Sequence, residues 1–137
     1  MVRKVWIFMP FVIIVIAVII VKFFMPRPMS DSGIQEIVIV QANFNYGEED
    51  SKLINGHFIP NRIIECISKY KEQRTFVRRK DYATKNVQMR ILIRTNDGLK
   101  EIIIGKDTYS QKGNGPVFRI LDEDKFKKEI FDVCGYK

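Results

Sequence analysis

Residues 87–104 read VQMRILIRTNDGLKEIII, and this stretch decides the fold class. Val87, Met89, Ile91 and Ile93 alternate with Gln88, Arg90 and Arg94, the period-two pattern of a strand with one buried face. Asn96-Asp97-Gly98 follows, a residue set that tolerates the backbone angles of a tight hairpin turn. Residues 99–104 then return as the partner strand. Two strands joined by so short a turn must be antiparallel, because a parallel pair needs a long crossover.

The pattern extends outward in both directions. On the carboxyl side, residues 105–109 continue the second strand past a bend, and 111–116 (QKGNGP) make another turn. Residues 117–121 form a short strand. Asp122, Glu123 and Asp124 then crowd the start of a helix, where negative charge suits the positive end of the helix dipole. Phe126, Ile130, Val133 and Cys134 give that helix an apolar stripe, and Gly135 is its stop.

On the amino side, residues 34–45 are dense in β-branched side chains (Ile37, Val38, Ile39, Val40) and read as a strand. Residues 46–58 are polar, with Gly47, Glu48, Glu49, Asp50 and Gly56, and read as a loop. A helix opens near Pro60 and runs to about Lys71, with Ile63, Ile67 and Tyr70 on one face and Cys66 beside them. Residues 75–80 are a candidate for one further short strand beyond the order below. The expectation for residues 34–137 is an α+β domain in the order strand-helix-strand-strand-strand-helix, a small antiparallel sheet with two helices packed on one face.

A different kind of sequence precedes the domain. Residues 5–21 are 17 consecutive uncharged positions, and Phe23, Phe24 and Met25 extend the run past Lys22. At 1.5 Å per residue the 17 cover about 25 Å and the whole of 5–25 about 31 Å, against a bilayer core of about 30 Å. Lys22 snorkels from the end, and Trp6 suits the opposite interface. Residues 23–28 (FFMPRP) lack the small-residue pattern of a signal-peptidase site, and no cysteine follows the run, so the segment reads as an uncleaved signal anchor. Arg3, Lys4 and the terminal amine outweigh Lys22 and Arg27 and favour a cytoplasmic N-terminus. The expected layout is a cytoplasmic tail at 1–4, a transmembrane helix at 5–25, a linker at 26–33 and an extracytoplasmic domain outside the cell membrane.

Charge divides along the same line. The formal net charge is +7, of which the first 29 residues carry +4 (Arg3, Lys4, Lys22, Arg27) with no acid; the rest sets 19 basic residues against 16 acidic ones. Anchor charges set topology rather than ligand binding. Within the domain, Lys69, Lys71, Arg74, Arg78, Arg79 and Lys80 cluster around the single acid Glu72, with Phe76 among them. This is a solvated helix end or a site for an anionic partner. Close to a bilayer, headgroups and wall polymers are the polyanions at hand, so nucleic acid is an unlikely partner. Arg90 and Arg94 project on the polar side of their strand and are a further candidate contact for such a partner.

The catalytic inventory is thin. His57 is the only histidine, in a polar loop, so histidine metal clusters are excluded. Glu48-Glu49-Asp50 lacks the alternating acids of a calcium loop. No phosphate-cradling glycine loop, nucleophile elbow or zinc spacing is present. Catalytic residues, metal ligands and cofactors are therefore all read as none. Cys66 and Cys134 lie on the inner faces of two helices and either form a disulfide or remain reduced core thiols.

The N-terminal anchor, the βαβββα-like domain and residues 87–104 and 117–134 together resemble small single-pass membrane-anchored proteins of Gram-positive bacteria. The resemblance is one of architecture, carries an uncharacterised domain, and transfers no functional residue. The function expected is a non-catalytic, membrane-tethered module that binds a protein or an anionic envelope component at the cell surface. The alternatives are an accessory subunit of a membrane complex and a small thiol-dependent hydrolase using Cys66 and His57. The sequence leaves the oligomeric state open.

Overall fold

The computed structural model describes residues 2–29, 33–45, 48–53, 60–78 and 87–134. It is an α+β structure with an apolar helix at its N-terminus. Helix α1 (Val2–Phe24) contains Pro10 and leads into strand β1 (Arg27–Pro28). Then follow β2 (Ile34–Asn45), β3 (Glu48–Leu53), α2 (Pro60–Ser68) and β4 (Lys71–Arg74). The chain continues through β5 (Met89–Thr95), β6 (Gly98–Ile104), β7 (Tyr109–Lys112), β8 (Val117–Ile120) and α3 (Glu123–Cys134). The strands form one sheet in the order β1-β4-β8-β7-β6-β5-β2-β3, and every neighbouring pair is antiparallel.

The β5–β6 hairpin forms as its alternation predicts, with Thr95 opposite Gly98 and Met89 opposite Ile104. Gly98 takes φ 129°, a conformation that a residue with a Cβ rarely adopts. Met89, Ile91 and Ile93 of β5 and Ile102 and Ile104 of β6 share one buried face with Ile39 of β2 and Ile120 of β8. Ile63, Cys66 and Ile67 from α2 and Phe126, Ile130 and Cys134 from α3 join the same core. Tyr70 and Phe126 meet edge to face, with ring centroids 5.1 Å apart. Burying each such isoleucine contributes about 1.5–3 kcal/mol.

The expected strand-helix-strand-strand-strand-helix order holds only in part, because the sheet also contains β1, β3, β4 and β7, and several local expectations are corrected. Residues 48–53, read as part of a loop, are an edge strand hydrogen-bonded to β2 from Val40–Leu53 to Asn45–Glu48. Its backbone pairing is indifferent to side-chain polarity, and charge on an outermost strand discourages further pairing. The second helix stops at Ser68 instead of Lys71, and the strand expected at 75–80 falls earlier, at Lys71–Arg74, where Glu72 turns inward. Residues 105–109 do not extend β6: Tyr109 opens β7, which turns back antiparallel beside β6 and ends with Gln111 and Lys112, both expected in a turn, so that the turn begins at Gly113 with φ 54°. Val87 precedes β5 and packs with Ile103, Tyr109 and Val117 in a second small cluster, not on the Met89 side. The segment read as a spacer after the apolar run contributes to the fold: Arg27–Pro28 pairs with β4, and Met29 is fully buried. Proline fits there because an edge strand does not need its missing N–H.

Candidate functional site

The junction between α1 and the sheet concentrates the unusual chemistry of the molecule. Residues Trp6–Phe24 form a helix long and apolar enough to cross a membrane, and none of it is buried within the protein. Its last turn is tied to β4 and the loop after it. The Phe24 carbonyl accepts a hydrogen bond from Gln73 Nε2 at 2.9 Å, and the Phe24 and Phe76 rings lie 4.4 Å apart. The Arg74 guanidinium sits 3.4 Å over the Phe23 ring. Three residues beyond the helix, Arg27 stacks 3.8 Å over Phe118 and donates from Nε to Glu72 at 2.9 Å. Met29 N–H then donates to the Tyr70 carbonyl at 3.1 Å. Backbone, aromatic and ionic contacts thus fasten the helix end to one edge of the sheet.

Beneath this edge lies a buried ionic network. The sheet curls enough for Glu72 on β4 to meet side chains from β7 and β6, two and three strands away in the sheet order. Lys100 Nζ is 3.2 Å from the Glu72 carboxylate and 2.6 Å from the Met29 carbonyl, to which it donates. The Ser110 hydroxyl donates to the other Glu72 oxygen. Glu72 and Ser110 are fully enclosed and Lys100 nearly so, while Arg27 reaches the carboxylate from the half-exposed rim. A buried carboxylate is costly unless its charge is opposed and its lone pairs are used, and here both conditions hold. The enclosed Ser110 hydroxyl is committed to Glu72, which makes the group a structural tie linking the post-helix segment to the sheet interior.

The cations expected to meet an anionic partner divide into several environments. Lys69, just past the end of α2, pairs with Glu129 of α3. Arg90 pairs with Glu101 at 2.9 Å and Arg94 with Glu36 at 3.5 Å, on the face of β5 away from the main core. These acids offset much of the attraction either arginine has for an anion. Lys71 is exposed on β4, and Arg74 and Arg78 flank the end of α1, where Arg74 lines two open clefts of about 470 and 410 Å³. Arg79 and Lys80 lie outside the described residues, as does His57. Among the described residues of the basic run, Arg74 and Arg78 are those that face the helix junction.

Cys66 and Cys134 are both buried and unbridged. Burial, followed by the nearby Glu129 carboxylate, pushes the Cys66 thiol up to about 12; burial pushes Cys134 up to about 11. At neutral pH neither supplies a thiolate. Glu129 is held below the usual carboxylate range by hydrogen bonds from Lys69 and then Tyr70. Burial, and then the bond to Glu129, raises the Tyr70 phenol, while the bond to Glu129 raises Lys69. Among the described residues, no group of three or more His, Cys, Asp or Glu side chains is placed to hold a metal ion.

Sequence reasoning missed the roles of Glu72, Lys100, Ser110 and Met29. One signal was available: Lys100 alternates with Ile102 and Ile104 and so falls on the buried face of β6. Glu72 had no such signal, because its partners are 28 and 38 positions away in the chain. Comparison with protein-family models, with curated proteins and with solved structures finds no match.

Proposed function

We propose that the chain is a single-pass, membrane-tethered and non-catalytic module whose domain stands outside the membrane and engages a protein or an anionic envelope component. The N-terminus is cytoplasmic in this reading, as the Arg3 and Lys4 charges favour. The observation that carries it is the junction: a wholly unburied apolar helix enters the sheet through Arg27 and Met29 without an intervening free segment. An apolar surface of that length needs a lipid environment. The fixed junction would hold the domain at a set orientation over the bilayer, as suits a module that presents a surface. The high thiol pKa values and the committed Ser110 favour binding over catalysis.

The test is topological. With the full chain expressed in a bacterial host, the protein is expected to stay with membranes through alkaline carbonate extraction. Protease added outside spheroplasts is expected to remove the domain and leave the N-terminus protected. Release into the carbonate supernatant would overturn the anchor, and a protected domain would overturn the orientation.

A further inference from the structure

We propose that residues 75–78, led by Phe76, form a second membrane contact that enters the headgroup layer of an anionic phospholipid bilayer beside α1. The proposal rests on the membrane-spanning reading of α1 and adds a bilayer-binding site to it. Depth is fixed by contact. Phe24 ends the apolar helix and so lies at the interface when the helix spans, and the Phe76 ring stacks on it at 4.4 Å. Yet Phe76 is 86% exposed and Val77 45% exposed within the protein, so their outer surfaces are left for another phase. Water is a poor environment for a phenylalanine so exposed; the interfacial layer is a good one.

Charge supports the same occupant. Lys22, Arg27, Arg74 and Arg78 surround this tip, and no acid lies between Gln73 and Arg78. Stacking of Arg74 on Phe23 uses the face of the guanidinium and leaves its in-plane N–H edge for a phosphate oxygen. Each cation held near an anionic surface adds to the attraction. The apolar tip and cationic collar together match a lipid interface better than a soluble polyanion, which has no place for Phe76.

The test uses a single-tryptophan reporter, Trp6→Phe with Phe76→Trp, in the full chain reconstituted into vesicles. Phe76 is exposed, so the substitution leaves the core intact. In phosphatidylcholine vesicles with about a third phosphatidylglycerol, the tryptophan at 76 is expected to emit blue-shifted, and shallow brominated lipids should quench it about twofold more than in neutral vesicles. Adding Arg74→Gln with Arg78→Gln should return quenching to the neutral-vesicle level. Water-like emission without lipid quenching, from a chain that still floats with the vesicles, would overturn the second contact and leave the anchor intact. Equal quenching in neutral vesicles would overturn its anionic character. An emission shift produced by inorganic phosphate alone, in neutral vesicles, would overturn the bilayer as the occupant. A chain that fails to float removes the anchored reading and this proposal with it.

Discussion

Lys100 shows how one side chain can organise a region. It sits among isoleucines on the buried face of β6, and its ammonium is held by the Glu72 carboxylate and the Met29 carbonyl. Removing one member of a buried pair strands the other's charge, so Lys100→Met should destabilise by about 3–5 kcal/mol in denaturant unfolding. Lys100→Met with Glu72→Leu should recover most of that loss, since an apolar replacement of both leaves no stranded ion. Equal loss in the single and double variants would contradict the pairing. The thiols give a second residue-scale prediction. With its pKa near 12, Cys66 should alkylate at neutral pH on the order of 10³-fold more slowly than free cysteine. Labelling at the free-cysteine rate would revive a thiol mechanism. Lys100 was readable from its place in the alternation; the carboxylate it meets was not, because only the folded sheet brings them together.

At the scale of elements, amphipathic patterns were readable and backbone pairings were not. The β5–β6 hairpin, β2, α2 and α3 all show their buried faces as apolar spacing. By contrast β3 (Glu48–Leu53) and β4 (Lys71–Arg74) are polar strands made by hydrogen bonds to neighbours, and β1 is only two residues long. The contact between α2 and α3 carries a pH prediction through Glu129, Lys69 and Tyr70. Because the folded Glu129 carboxyl titrates below its unfolded value of about 4.3, its contribution is present above that pH and is lost as pH falls through the lower folded value. The Tm difference between the protein and Glu129→Gln should therefore be steady near neutral pH and shrink below about pH 4. A difference that does not vary with pH would contradict the hydrogen-bonded carboxylate. Lys69 is exposed, so the effect should be small.

For the molecule as a whole, the split in charge and hydropathy marks two regions, and the structure joins them more closely than the prolines, serines and glycine of residues 26–33 imply. Apolar length made the helix evident from the sequence; its fastening was not, because Arg27, Met29 and Gln73 act through partners far along the chain. Fastened in this way, α1 and the sheet should move as one body. This can be tested by spin labels at Val21→Cys and Lys128→Cys, both exposed positions, in the full chain in lipid nanodiscs with the buried Cys66 and Cys134 retained. Pulsed electron resonance should return a single narrow distance peak, broadened by Arg27→Ala with Gln73→Ala. A broad distribution in the unaltered protein, spread over about 15 Å as for a free eight-residue tether, would contradict the fixed junction.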